Sequence, residues 1–184
     1  MSTMLPLDIA SFAFDPNTQQ PVLLLKIAGS PDPAERLVPI ALGRPEAHAI
    51  LSAAHGITFS RPSTHDLLVS VMQAAGLKLN RVEIGSFAHG TFLATLDFLR
   101  GTQHVTLDAR PSDAITLALR TRAPLFIADN VYQETSVRTR IAGFEEMGGL
   151  GKTDIGSEIG AEASKQLIDE FHEFIQHVEP SDFE

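Results

Sequence analysis

Two aspartates and an arginine lie close together in one stretch of the chain, DARPSD at residues 108–113. Carboxylates are preferred ligands of Mg²⁺ and Mn²⁺, and the guanidinium fork of arginine suits a phosphate. We expect Asp108 at the end of a strand and Asp113 in the first turn of the next helix. Both carboxylates then reach one point outside the sheet, which favours a metal site there with Arg110 as a phosphate contact.

The same residues also suit the start of a helix. Ser112 is a good N-cap, Pro111 is tolerated in the first turn, and Asp113 favours the positive end of the helix dipole. An earlier stretch, RPE at residues 44–46, repeats the Arg-Pro-acid pattern but has no acid at the position that corresponds to Asp108. Asp108 is therefore the stronger candidate for a functional acid, and a purely structural role for the repeated pattern stays open.

A histidine and an aspartate are adjacent in the stretch RPSTHDLL, which starts at Arg61. We expect His65 and Asp66 in the first turn of a helix, where His65 could act as a general base and Asp66 as its partner or as a metal ligand. Arg61 is a candidate contact for an anion. The alternative is a helix cap formed by Ser63 or Thr64 together with this pair.

Basic residues are concentrated in the motif RTR, which occurs at residues 120–122 and 138–140. Arg120 and Arg122 are candidate contacts for phosphates of a substrate. Cations are also favoured at the end of a helix for electrostatic reasons alone, so both interpretations stay open.

The charge of the chain is divided unevenly. Residues 144–184 hold eleven acids against two lysines, which accounts for the whole formal net charge of −9, and residues 1–143 are neutral. The absence of cysteine excludes disulfides, thiolate metal sites and cysteine nucleophiles, and it fits a reducing compartment. We see no signal peptide and no apolar run of the about 20 residues that a membrane span needs. We therefore expect a cytoplasmic protein with no membrane partner.

Hydrophobic periodicity predicts two similar halves, each with three strands followed by a helix. IASFAF resembles IGSFAH, and VPIALGRPEAHAIL resembles VTLDARPSDAITLAL in the same order, which indicates an internal duplication of about residues 7–59 and 82–128. The helix between the halves presents an apolar face (Leu67, Leu68, Val71, Met72 and Ala75). The predicted strands are 7–14, 21–28, 37–42, 79–87, 91–99, 103–109 and 123–128, and the predicted helices are 45–55, 64–76 and 112–122.

The end of the chain differs from the rest. We divide the chain into a domain at residues 1–143 and an acidic extension at 144–184, in which 147–162 form a glycine-rich linker. Beyond the linker, apolar residues recur at helical spacing and predict an amphipathic helix (Leu167, Ile168, Phe171, Phe174, Ile175 and Val178). This helix must bury its apolar stripe on its own core, on a second subunit or on another partner.

Four stretches resemble the bifunctional nuclease family in the expected order, over about residues 8–133. They are VPIALGRPEAHAI, RPSTHDLL, GTFLATLDF and LDARPSDAITLALRTRAPLFI. The resemblance implies an α+β fold in which the duplicated halves form one barrel-like mixed sheet, here followed by a C-terminal helix. It also implies DNase and RNase activity. One departure lies at residues 41–43, where this chain has ALG after PI in place of an aromatic residue and glycine, which we interpret as a packing change.

The sequence therefore predicts a nuclease that hydrolyses phosphodiester bonds of DNA and RNA, with Mg²⁺ or Mn²⁺ as cofactor, and that forms a homo-oligomer. The predicted catalytic residues are Asp108, His65 and Arg110. The predicted metal ligands are Asp108, Asp113 and Asp66, and the predicted substrate contacts are Arg61, Arg120 and Arg122. The alternative is a non-catalytic oligomeric binding or regulatory module that recognises a small anion or a protein, which the neutral domain and the helix-cap interpretation favour.

Overall fold

The computed structural model describes residues 3–15, 18–30, 36–138 and 145–149, and it shows an α+β protein. Strands and helices alternate in groups along the chain. In order they are β1 (Met4–Phe14), β2 (Pro21–Ile27), β3 (Arg36–Ala41), α1 (Arg44–Ala54), α2 (Thr64–Ala74), β4 (Lys78–Ala88), β5 (Thr91–Arg100), β6 (Gln103–Ala109), α3 (Pro111–Thr121), β7 (Leu125–Ala128), α4 (Asp129–Thr135), β8 (Val137–Arg138) and β9 (Glu145–Gly149).

The strands form one mixed sheet in the order β6-β5-β4-β7-β1-β2-β3-β8, and β9 also pairs with β1. Two antiparallel meanders, β1-β2-β3 and β4-β5-β6, are joined by β7, which runs parallel to β4 and antiparallel to β1. No pairing joins β6 to β8 in the described ranges, so the sheet is open. The barrel-like sheet that the resemblance implied is therefore not confirmed, because β6 keeps an edge that no described strand covers.

The two meanders repeat the same order of elements. Each has three antiparallel strands followed by a helix, α1 after β3 and α3 after β6. The chain then diverges, because α1 is followed by a second helix and α3 by strand β7. The element order agrees with the predicted halves, and their common origin by duplication stays a prediction.

The helix after each meander starts on an Arg-Pro pair. Pro45 lies in the first turn of α1 behind the N-cap Gly43, and Pro111 lies in the first turn of α3 behind the N-cap Arg110. The expectation that Ser112 caps α3 is therefore wrong. Ser112 is already the second residue of the helix, and its side chain is buried and makes no capping hydrogen bond.

The helices cover one face of the sheet. Alternate residues of β1 and β2, including Phe12 and Leu23, point to this face and join the main apolar core. Their neighbours Ala13, Val22 and Leu24 point to the opposite face and form a second buried cluster. The first meander is thus buried on both faces, which explains why β2 begins with five consecutive buried apolar residues.

Helix α2 is packed less tightly than its apolar pattern predicts. Only Met72 is buried, whereas Leu67, Leu68 and Val71 are 58%, 41% and 54% exposed. The helix does begin at Thr64 as expected, because its N-terminal signal is local. Within the described part of the chain, no helix is long and apolar enough to cross a membrane.

The last described strand lies where the sequence predicted the start of a glycine-rich linker. β9 pairs antiparallel with β1, with Phe14 opposite Glu145 and Ser11 opposite Gly149. The predicted amphipathic helix at the end of the chain lies outside the described residues.

Candidate active site at the starts of three helices

The first turns of α2 and α3 meet through a histidine and an aspartate. Nε2 of His65 lies 3.2 Å from Oδ1 of Asp113, and their side chains are 17% and 33% exposed. Because a carboxylate only accepts hydrogen bonds, the hydrogen of this bond is on Nε2. The other ring nitrogen, Nδ1, has no partner among the described residues, and in the neutral ring it carries the lone pair that can accept a proton.

An arginine joins the same carboxylate from the residue that caps α3. Arg110 donates from Nε to Oδ2 of Asp113 at 2.7 Å and from Nη2 to Oδ1 at 3.2 Å. Its Nη1 donates to Oε1 of Glu46, in the first turn of α1, at 3.2 Å. Glu46, His65, Arg110 and Asp113 thus connect the starts of three helices, and we call them the helix-start cluster.

The charges of the helix-start cluster support one another. Burial alone would raise the pKa of Asp113, but hydrogen bonds from Arg110 and His65, together with their charges, hold it below its ordinary value. The hydrogen bond and the charge of Asp113 raise the pKa of Arg110, and Glu46 adds to this. Asp113 is therefore an anion that fixes both a histidine ring and a guanidinium group.

The neighbouring carboxylate, Asp66, is part of the cap of α2. Its Oδ2 accepts from the backbone N–H of Ser63 at 3.0 Å and from Oγ of Ser63 at 2.7 Å, which completes a capping box. Burial alone would raise the pKa of Asp66, but the bonds from Ser63 and the charges of Arg120 and His65 lower it. The capping interpretation of this stretch is confirmed, with Ser63 as the N-cap.

The three arginines predicted to contact substrate lie in different settings. Arg120 is 13% exposed, donates from Nη1 to the carbonyl of Ile57 at 2.9 Å, and holds Nε 3.2 Å from Oδ1 of Asp66. The Nε contact is an ion pair without hydrogen-bond geometry. Arg122 and Arg61 are exposed. Arg120 therefore ties α3 to α2 and to the loop before it, whereas the exposed pair can reach a ligand.

Asp108 lies apart from the other predicted site residues. It is exposed on β6 opposite Thr95 of β5, and its side chain makes no hydrogen bond or ion pair with any described residue. Side chains alternate along a strand, so Asp108 points away from the face on which Ala109 packs against the main core. The structure thus brings His65, Arg110 and Asp113 together and leaves Asp108 on the other face of the sheet.

The predicted metal ligands do not form a preformed cation site. Asp113 already bonds Arg110 and His65, Asp66 already bonds Ser63 and faces Arg120, and the side chain of Asp108 contacts neither of them. The described residues contain no group of three or more histidine, aspartate or glutamate side chains arranged to hold a metal ion. A divalent cation would need these ion pairs to open, so the donor set does not fit such an ion as it stands.

A second aspartate–histidine pair was missed from the sequence. Asp97 of β5 is only 4% exposed, and its Oδ1 lies 2.8 Å from Nδ1 of His104 on β6. Its Oδ2 accepts from the amide of Asn80 at 2.7 Å, and Arg81 lies 3.6 Å away. The available signal was an acid between apolar residues in the strand ATLDFL, because a buried carboxylate needs partners.

The charges around Asp97 stabilise its ionised form. Burial alone would raise its pKa, but hydrogen bonds from Asn80 and His104 and the charges of His104 and Arg81 lower it. This pair lies on the face of the sheet opposite to the main core, because Asp97 alternates with the core residues Leu96 and Phe98. It is therefore distinct from the helix-start cluster.

Comparison with known proteins places the site within a shared region. A model of the bifunctional nuclease domain matches residues 24–140, which include every residue of the helix-start cluster. An uncharacterised protein of Mycobacterium tuberculosis is 33% identical over 164 residues, 89% of this chain and 88% of that protein.

Two plant proteins share a smaller part of the chain. Bifunctional nuclease 2 of Oryza sativa subsp. japonica is 24% identical over 123 residues, 65% of this chain and 37% of that protein. Bifunctional nuclease 1 of Oryza sativa subsp. indica is 26% identical over 97 residues, 51% of this chain and 29% of that protein.

Proposed function

Because the chain belongs to the bifunctional nuclease domain family, we propose that it hydrolyses phosphodiester bonds of DNA and RNA at the helix-start cluster. The observation that supports this most is the shared carboxylate of Asp113, which orients the ring of His65 and the fork of Arg110 together. A base oriented beside a phosphate-binding cation is what attack on a phosphodiester needs.

His65 is the proposed general base. With the hydrogen on Nε2 directed at Asp113, the lone pair on Nδ1 takes a proton from a water molecule as its oxygen attacks phosphorus. The bond from phosphorus to the leaving oxygen breaks, and that oxygen takes up a proton, for which protonated His65 is a source. Asp113 stabilises the imidazolium form between these two transfers.

Arg110 is the proposed phosphate ligand. Of the five N–H groups of a guanidinium, three are engaged by Asp113 and Glu46, and the remaining two can donate to the non-bridging oxygens. The side chain is 65% exposed, so a nucleic acid can reach it. The exposed Arg61 and Arg122 are proposed to bind flanking phosphates, where they would add affinity without sequence preference.

The proposed steps do not pass through a metal ion, since the carboxylates of the cluster are already paired. A requirement for Mg²⁺ or Mn²⁺ remains a prediction, as does a catalytic role for Asp108. The metal requirement is tested beside His65 by removing cations with EDTA, and the role of Asp108 is tested beside that of Asp113 in the same cleavage assay.

The decisive experiment measures cleavage of end-labelled single-stranded DNA and RNA by the full chain, with and without EDTA. We expect His65→Gln to lower the cleavage rate by about 100-fold or more, the usual contribution of a general base. His55→Gln is the matched control, because His55 is exposed at the end of α1. Equal rates for both variants would show that His65 is not the base, and a loss in EDTA alone would assign the chemistry to a cation.

A binding module is the second candidate function. It is favoured by the pairing of Asp113 and Asp66 with arginines, which leaves the exposed guanidinium of Arg110 as the group presented to solvent. The same preparations distinguish the two. Absence of cleavage by the intact chain, together with nucleic-acid binding that Arg110→Ala weakens, would favour binding over hydrolysis.

A further inference from the structure

Strand β6 is an open edge of the sheet. In the described part of the chain it pairs only with β5, in a register without a bulge. Its sequence QHVTLDA contains no proline, lysine or glycine, and six of its seven residues are exposed. Val105 and Leu107 on its core-side face are 36% and 50% exposed. Proteins usually block such edges with lysines, prolines or bulges, and β6 has none of these, so this strand is suited to pair with another.

We propose that β6 pairs antiparallel with β6 of a second copy of this chain, across a twofold axis at Thr106, so that the two sheets continue into one. Thr106 is the midpoint of the strand, and this register therefore overlaps all residues from Gln103 to Ala109. A twofold interface brings the same surface of each copy together, so the strand must complement itself.

The side chains of β6 are complementary in this register. On the face that carries the main core, Val105 of one copy lies opposite Leu107 of the other. The twofold axis repeats this apolar pair, so both exposed residues of each copy are covered. On the opposite face, His104 of one copy lies opposite Asp108 of the other. Opposite charges and apolar pairs at directly opposed positions each stabilise a sheet.

The ring of His104 is held in place by one bond within its own chain and is accessible to a second copy. Its Nδ1 donates to Asp97 at 2.8 Å, and the side chain as a whole is 60% exposed, so the imidazolium form of the ring can also donate from Nε2 to Asp108 of the second copy. Asp108, in turn, makes no hydrogen bond or ion pair with any described residue of its own chain. The acid that the first half of the chain lacks thus has a partner in the dimer.

Other registers lose these contacts. A shift by one residue would turn the apolar side chains to the wrong face, so only shifts by two are allowed. A shift by two places Thr106 opposite either His104 or Asp108, which removes both charge pairs and shortens the overlap. The complementarity therefore selects the register centred on Thr106.

Disulfide cross-linking tests this register directly, because the chain has no cysteine of its own. In Thr106→Cys the two thiols face each other across the axis with Cα atoms about 4.5 to 5.5 Å apart, within the range of a disulfide. In Gln103→Cys, on the same strand, the two thiols are about 20 Å apart. We expect Thr106→Cys to form a covalent dimer in mild oxidant at low protein concentration and Gln103→Cys to remain uncrosslinked.

Sedimentation of the full chain tests the interface without new bonds. Leu107→Arg should weaken dimerisation by at least about 100-fold, because a symmetric interface loses the buried leucine twice. Leu93→Arg is the matched control, since Leu93 is 43% exposed on β5, away from the open edge. Circular dichroism of both variants separates lost association from lost folding.

Each remaining outcome contradicts the proposal. A monomeric chain at micromolar concentration, a Thr106→Cys variant that does not cross-link, or equal cross-linking of both cysteine variants would overturn the pairing at β6. Dimers that persist in folded Leu107→Arg would place the contact on another surface.

Discussion

The carboxylate of Asp113 lies 3.2 Å from Nε2 of His65, and this hydrogen bond joins the first turns of two helices that are far apart in the chain. The same carboxylate also receives the fork of Arg110. One acidic side chain thereby sets the orientation of both groups that the proposed hydrolysis uses, which makes it the most informative position to change.

Asp113→Asn is expected to lower the rate of phosphodiester cleavage by about 100-fold or more, because the amide cannot stabilise an imidazolium as a carboxylate does. Cleavage of end-labelled single-stranded DNA gives kcat and KM for the variant. Asp108→Asn is the control, since it removes an exposed acid on the other face of the sheet. Loss of cleavage in Asp108→Asn with full activity in Asp113→Asn would show that the active centre lies at β6 and not at the helix-start cluster.

Arg120 and Arg122 should behave differently although they are two residues apart. Arg120→Ala removes an ion pair with Asp66 and a hydrogen bond to the carbonyl of Ile57. We therefore expect the free energy of unfolding to fall by about 2 to 4 kcal/mol. Arg122→Ala should change the free energy of unfolding by less than about 0.5 kcal/mol, because the side chain is exposed. Urea denaturation measures both, and similar losses would contradict the structural role of Arg120.

The cap of α2 is a local source of stability. Ser63→Ala removes the hydroxyl that bonds both the backbone N–H and the carboxylate of Asp66, and should cost about 1 kcal/mol in urea denaturation. Thr64→Ala is the neighbouring control, because Thr64 is exposed and does not cap the helix. If the two variants lose the same stability, the capping box contributes nothing beyond helix propensity.

Acid should destabilise the protein in part through Asp97. Its pKa is lower in the folded chain than in an unfolded one, so its contribution is present above the ordinary carboxyl range, about pH 4, and is lost as the pH falls through the folded value. Asp97→Asn should lower the free energy of unfolding at pH 7 by about 1 to 3 kcal/mol and flatten its decline below pH 4. Thermal unfolding between pH 2 and 7 checks this, with Glu134→Gln as the control, because Glu134 is an exposed acid on α4. An unchanged acid profile in Asp97→Asn would contradict it.

The acidic end of the chain should oppose binding of nucleic acid. Residues 150–184 hold nine acids and two lysines, so their removal brings the formal net charge from −9 to −2 while keeping strand β9 on β1. We expect the truncated chain to bind single-stranded DNA more tightly than the full chain at low salt, with a difference that shrinks as salt rises. Fluorescence anisotropy at two salt concentrations measures both affinities. Equal affinities of the full and truncated chains would show that the acidic end does not oppose binding.

Local patterns in the sequence were sufficient for most of the fold. The alternation of apolar residues predicted the strands of both meanders, and the 3.6-residue period predicted three helices with nearly the observed limits. A cap at Ser63 or Thr64 was expected because the partners of a cap lie within three residues, and the structure shows that Ser63 forms it. Short elements such as α4 and β8 were not predicted, since so few residues carry no clear period.

The candidate site was predicted less completely. His65, Arg110 and Asp113 were chosen by residue type and do meet, but Asp108 was ranked above Asp113 and lies on the other face of the sheet. The network of Asp97, Asn80 and His104 was not foreseen, because it depends on which residues of β4, β5 and β6 lie opposite one another.

The sequence alone therefore determined the longer elements, their order and the family, because propensity, periodicity and caps act over a few neighbouring residues. Only the tertiary structure decided that Asp113 meets His65 across 48 positions of the chain, whereas Asp108 points away from them. The physical reason is that a contact between distant residues depends on strand register and helix packing, and a single position in register moves a side chain to the opposite face.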